Sequence, residues 1–229
     1  MLPTDSRSTK FGEVQHTMRI VKKPEERRDE ILDAADELFG QKGFDGTSTN
    51  DILEKVGIAR GTLYYHYKSK EDIMDALIER YNTRLMAAAR EVAADKSIPV
   101  VERIIRTVVS MNVGGGGGEE VMEHIHKPQN ALMHQKIQRM IVSGLTPILA
   151  DMIREGIEEG LFNTPHPYEC MEMVVIYANT VFDDGAGLTE EELAARIPAL
   201  IHNIERLLGA KPGSLAPAMR MFGGEGGHE

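Results

Sequence analysis

Apolar residues recur at helical spacing along most of this chain, and alternation of period two is scarce. Ile31, Leu32, Ala35, Leu38 and Phe39 share one face of a helix predicted over 24–42. Pro24, Glu25 and Glu26 suit its first turn, and Gly43 is its expected stop. Ser48 and Asp51 frame a capping box that opens a short helix over 49–56, which Gly57 closes. A second short helix runs from Arg60 to Tyr67, and Ser69 with Asp72 opens a long one over 70–94. Further helices are predicted over 97–112, 119–126, 129–159, 167–183 and 189–209, with a kink at Pro147. The glycine run 114–118 is expected to break the path. The pattern therefore predicts an all-α fold of about nine helices, with a flexible arm over 1–23 and a disordered tail over 210–229.

Two short helices joined by a three-residue turn around a glycine bury little surface alone. Their use is geometric, because the first braces the second and the second enters a DNA major groove. Leu63 and Tyr67 form the inward face of the second helix, opposite Ile52 and Val56. That leaves Arg60, Gly61, Thr62, Tyr64, Tyr65 and His66 facing outwards. Arg60 suits a guanine edge or a phosphate, and Gly61 permits close approach of the backbone. Thr62, Tyr64 and His66 can donate to phosphate oxygens, and Lys70 adds charge.

The net charge of −10 looks unsuited to a DNA-binding protein until its distribution is read. Residues 1–70 carry 12 basic and 12 acidic side chains, so the whole excess lies in the remaining 159 residues. That balance, with a pI near 5.3, argues against a protein that coats DNA indiscriminately. No run of 18 apolar residues is present, so no membrane span is expected. The first residues lack the apolar core of a secretory signal, and a lone Cys170 fits a reducing compartment, so the expectation is cytoplasmic.

The stretch from Arg28 to Ala35, Leu38-Phe39, Gly43-Phe44 and Thr47 to Asp72 resembles the TetR family of regulators. Its most specific string runs Gly57-Ile58-Ala59-Arg60-Gly61-Thr62-Leu63-Tyr64-Tyr65-His66-Tyr67-Lys68-Ser69-Lys70-Glu71. The resemblance implies a three-helix DNA-binding domain over 24–75 and a larger ligand-binding and dimerisation domain over 76–209. It implies a homodimer on double-stranded operator DNA, usually repressing, and released by a small-molecule effector. It places Thr49, Asn50, Arg60, Gly61, Thr62, Tyr64, Tyr65, His66 and Lys70 against DNA. Ala59 departs from the usual Ser at the N-cap, and Leu53 stands where a small Ala is common. Asn50 replaces an Arg found in some members, so their operator sequences do not transfer.

The helices over 167–183 and 189–208 carry apolar stripes broad enough to pack internally and on a two-fold partner, the dimer interface that the resemblance implies. For the effector, Met111, Met122, Met133 and Met140 lie where the family usually has its pocket, with His126 and Tyr177 as further candidates. Methionine adapts to varied apolar shapes, so an apolar small molecule is expected. His124, His126, His134 and Cys170 raise the alternative of metal or redox sensing. No two histidines of this group have the i, i+4 spacing that brings ligands together, so no metal and no cofactor are expected. A helical enzyme is the other alternative, but no nucleophile frame, phosphate loop or metal motif supports one.

Overall fold

The computed structural model describes residues 23–112, 130–183 and 188–221. All but Lys23 of the arm expected over 1–23, the glycine run, the helix expected over 119–126 and the last eight residues lie outside them. Among the described residues the fold is all helical, as the periodicity predicts.

α1 spans Pro24–Gly46, and Gly43 at φ 77° and ψ 162° breaks its helical path at the expected stop. α2 covers Thr49–Val56, where Ser48 accepts the Asp51 N–H and Asp51 accepts the Ser48 N–H in return. Gly57, at φ 71°, ends α2 in the left-handed conformation that costs glycine little. α3 is Arg60–His66 and α4 is Lys70–Ala94, the latter capped by the Ser69 hydroxyl. α5 is Val100–Asn112, shorter at its start than the predicted 97–112. α6 is Ala131–Glu158 and continues through an exposed Pro147. α7 is Pro167–Val181 and α8 is Glu190–Leu208, the latter opened by the predicted Thr189–Glu192 box.

Two apolar clusters organise these helices. The first joins Ile31, Ala35 and Phe39 of α1 to Ile52, Leu63, Tyr67 and the start of α4 through Ile73, Met74 and Leu77. Each such fully buried aliphatic contributes ~1.5–3 kcal/mol relative to exposure. Met133, Ile137 and Met140 of α6 complete the same cluster. The second gathers Met86 and Ala89 of α4, Val100, Leu145, Leu149 and Ile153, then Met171, Val175, Ile201 and Leu208. α4 thus serves both clusters, and the domain division read at 75/76 falls inside an unbroken helix.

Polar side chains fix the joints. Asn130, buried at the start of α6, accepts the Phe44 N–H at 2.6 Å and donates to the Phe39 carbonyl at 3.4 Å. Arg103, in the first turn of α5, is buried against the end of α4, donating to the carbonyls of Ala93 and Ile98 and to the Glu155 carboxylate. Arg103, with Lys96 beside it, holds Glu155 below the usual carboxylate range.

The tail needs a correction. Disorder was expected from residue 210, yet Leu215 is buried in the second cluster and a 3-10 helix spans Ala216–Met221. The cause is Glu205, a buried carboxylate that accepts the N–H groups of Gly213 and Leu215, both at 2.9 Å. Gly and Pro content reports chain flexibility and carries no signal of an acceptor waiting on α8.

Candidate nucleic-acid interface

The inward and outward faces of α3 follow its sequence. Leu63 and Tyr67 are buried against Ile52, while Val56 and Leu53 are half-buried beside them. α1 holds the far end of α3, because Arg28 stacks 4.7 Å from the Tyr67 ring centroid and donates to the His66 carbonyl at 3.3 Å. Burial among these groups raises the pKa of the Tyr67 hydroxyl. The near end lacks a side-chain cap, since Ala59 offers no acceptor. There Arg60 donates from Nη2 to Asn50 Oδ1 at 2.9 Å, tying α3 to the start of α2.

What remains outside is polar and aromatic. Tyr65 is 79% exposed and Tyr64 45%. Asn50, Arg60 and Gly61 are exposed, while Thr49, Thr62 and His66 are half-buried beside them. A Cβ on Gly61 would meet nothing within 4 Å, so its backbone borders open space. His66 packs edge-on to Tyr65 with ring centroids 5.0 Å apart. Burial, then the nearby Arg28 and Arg27 charges, push its pKa below the usual histidine value. It therefore offers a neutral imidazole at neutral pH. The frame behind this surface is ionic: Lys42 pairs with Asp51 and Lys55 with Glu37, so α2 is pinned to α1. Lys42, and beyond it Ser48, hold the Asp51 carboxyl far below its usual range.

One expected contact is placed differently. Lys70 donates to the Phe44 carbonyl at 2.6 Å, with its ammonium 4.1 Å from the Phe44 ring centroid. It is half-buried and holds the α1–α2 connection in place of standing free at the surface. Sequence reasoning missed Arg28, whose partners lie 38 and 39 positions away and leave no local signal.

A second exposed surface lies on α7. Met173 is 58% exposed and Ile176 48%, with Tyr177 and Tyr168 also uncovered and Leu207 of α8 exposed as well. On the two helices expected to serve both packing and dimerisation, Cys170, Met171, Val175, Leu200, Ile201 and Leu208 are buried within the protomer. The apolar surface left over on α7 is its opposite face. Helical spacing marks a stripe but not which stripe meets the protomer's own core.

Among the described residues, those expected to line a pocket are divided between the two clusters and the surface. Met133 and Met140 belong to the first cluster with the DNA-binding helices, Met111 packs on the second, and Tyr177 faces outwards. Met122 and His126 lie outside the described residues. A groove of about 320 Å³ does lie between α4 and α6, floored by Ala93, Ile148 and Met152. Arg90, Lys96, Asp151 and Glu155 rim it, and the Lys96–Glu155 ion pair lies among them. Among the described residues, no group of three or more His, Cys, Asp or Glu is placed to hold a metal ion. Nor is any helix there long and apolar enough to cross a membrane.

Comparison with known proteins fits this arrangement. Residues 31–77 match the family described as bacterial regulatory proteins, tetR family, and residues 116–201 match a tetracyclin repressor-like C-terminal domain. The chain is 32% identical over 138 residues to the HTH-type transcriptional regulator UidR of Escherichia coli, covering 58% of this chain and 67% of that protein. It is 27% identical over 155 residues to the HTH-type transcriptional repressor KstR2 of Mycobacterium tuberculosis, covering 63% of this chain and 73% of that one. The solved structure of Salmonella enterica GusR superposes with a TM-score of 0.58 at 19% identity, over 83% of this chain and 99% of that one.

Proposed function

This chain belongs to the TetR family of bacterial regulatory proteins, a DNA-binding transcriptional regulator, and on that premise we propose how it reads DNA and what releases it. The α3 surface enters the major groove of an operator half-site, with Arg60 at a base edge. Thr49, Thr62, Tyr64, Tyr65 and His66 meet phosphates, and the Gly61 backbone lies close to the groove floor. The observation that carries this reading is the outward placement of Arg60, Tyr64 and Tyr65 on a short helix whose inner face is fixed by Leu63 and Tyr67.

Two copies join through the uncovered apolar face of α7 with the adjoining part of α8. The support is an exposed apolar patch on the helices that the sequence assigned to dimerisation. A small apolar effector bound in the larger helical region releases the repressing dimer from DNA. The support for that part is the methionine-rich composition and the family resemblance, and it names no particular compound.

Titration of labelled duplex from upstream of the protein's own gene tests the DNA reading. Wild type is expected to bind with an affinity that falls steeply with salt, and Arg60→Ala to weaken binding by ~1–3 kcal/mol. Equal binding by wild type and Arg60→Ala would remove α3 from the interface.

A further inference from the structure

We infer that Asn50 is a positioning residue for Arg60, which holds that arginine ready to read a guanine in each operator half-site. This rests on the DNA-reading role of α3 argued above. It gives Asn50 a task other than the direct DNA contact expected from the sequence.

The geometry supplies the reason. Arg60 is the first residue of α3, and that helix has no side-chain cap to fix its start. A flexible, exposed arginine there would sample many rotamers, and ordering it on DNA would cost affinity and blur selectivity. The Nη2–Oδ1 bond to Asn50, at 2.9 Å, selects one arrangement before DNA arrives. The acceptor is itself well placed. Asn50 sits in the first turn of α2, whose start is locked by the reciprocal Ser48–Asp51 bonds and pinned to α1 through Lys42 and Asp51.

The chemistry of the pair suits recognition. A guanidinium has five N–H donors, so one bond to Asn50 leaves enough for the two acceptors, O6 and N7, that guanine shows in the major groove. An amide oxygen orients the arginine without cancelling its charge, which a carboxylate would partly do beside the phosphates. Asn50 also keeps its amide N–H groups, because only the oxygen is used by Arg60.

Selection from a randomised duplex pool with the full-length protein tests this, using wild type, Arg60→Ala, Asn50→Ala and the isosteric Asn50→Asp. Circular dichroism and thermal melting of each variant confirm folding, which this exposed position should leave unchanged. Wild type is expected to enrich a site with one guanine per half-site whose preference disappears in Arg60→Ala. Asn50→Ala should lower the preference for that same guanine by about tenfold, within the range for one bidentate pair, and leave other positions alone. Asn50→Asp, which keeps an acceptor at the same reach, should retain the preference for guanine while its charge lowers affinity evenly across sequences. The inference is overturned if Asn50→Ala keeps the full preference, or loses affinity evenly across all sequences as a phosphate contact does. Loss of the preference in Asn50→Asp as well, or a base other than guanine at the Arg60 position, also overturns it. Failure of wild type to enrich any site is a separate result, which would bring down the DNA-reading role itself and this inference with it.

Discussion

The outer face of α3 and the outer face of α7 both expose aromatic side chains, yet they are built for different neighbours. On α3, Tyr64 and Tyr65 stand among Arg60, Thr62 and His66, so every ring has a hydrogen-bonding group beside it. On α7, Met173, Ile176 and Tyr177 give the outer face most of its area, with the exposed Glu169 and Thr180 one turn to either side. The first surface can replace water around phosphates and base edges. The second gains most by leaving water, which calls for another apolar surface. Exposed aromatic area alone therefore predicts nothing, and its immediate company decides whether a nucleic acid or a second protomer is the fitting partner.

The largest expected effect comes from charging the apolar face. Ile176→Glu, with Met173 left intact, should weaken self-association by ~2–4 kcal/mol, as loss of a central interface side chain does. Sedimentation equilibrium reads this directly, and operator binding should fall with the dimer while the helical signal stays. A variant that remains dimeric would move the interface away from α7. Next in size is Arg60→Ala or Tyr64→Ala, each expected to cost ~1–3 kcal/mol of operator binding with the dimer untouched. The two sets of variants should thus separate cleanly, one losing assembly first and the other losing DNA alone.

How far each surface was legible in the sequence follows from the range of the forces that shape it. The recognition unit is built from short-range devices: the Ser48–Asp51 box, the Gly57 turn and the four-residue spacing of Leu63 and Tyr67. All of these are local, and the structure carries them as read. Lys70 differs because its partner, the Phe44 carbonyl, is 26 positions away. The same applies to the C-terminal helices, where the family resemblance groups Met133 and Met140 with Met111. Which cluster a methionine joins depends on which helix crosses there, and α6 leans its first turns on the DNA-binding helices. Sequence periodicity fixes a face but not the neighbour opposite it.

Asn130 is where those two halves meet, and it gives a prediction of intermediate size. Its carboxamide oxygen satisfies the buried Phe44 N–H, so Asn130→Ala strands a donor at the joint between α1 and α2. The expected loss is ~1–2 kcal/mol of folding stability, read as a lower urea midpoint at unchanged slope. An unchanged midpoint would mean that water replaces the amide there and that the joint is looser than its geometry implies.

The smallest effect concerns the packed tail and depends on pH. Two backbone N–H groups, from Gly213 and then Leu215, hold the Glu205 carboxyl below the usual glutamate range. The folded state therefore binds the Glu205 proton less readily than the unfolded chain does. Its contribution is fully present above the ordinary glutamate value and is lost as pH falls through the depressed folded value. Asp51, Glu155 and Glu192 are depressed as well, so acid will weaken the protein by several routes. Comparing wild type with Glu205→Gln isolates one of them: glutamine cannot titrate and keeps one of the two acceptor oxygens, so the variant starts less stable at neutral pH but has no carboxylate to lose in acid. Urea midpoints measured from neutral pH into the acid range should fall less steeply for the variant, and amide exchange at Gly213 and Leu215 should cease to follow pH beyond its intrinsic dependence. Parallel curves for the two proteins would show that the tail is held by Leu215 burial alone, with the carboxylate a bystander.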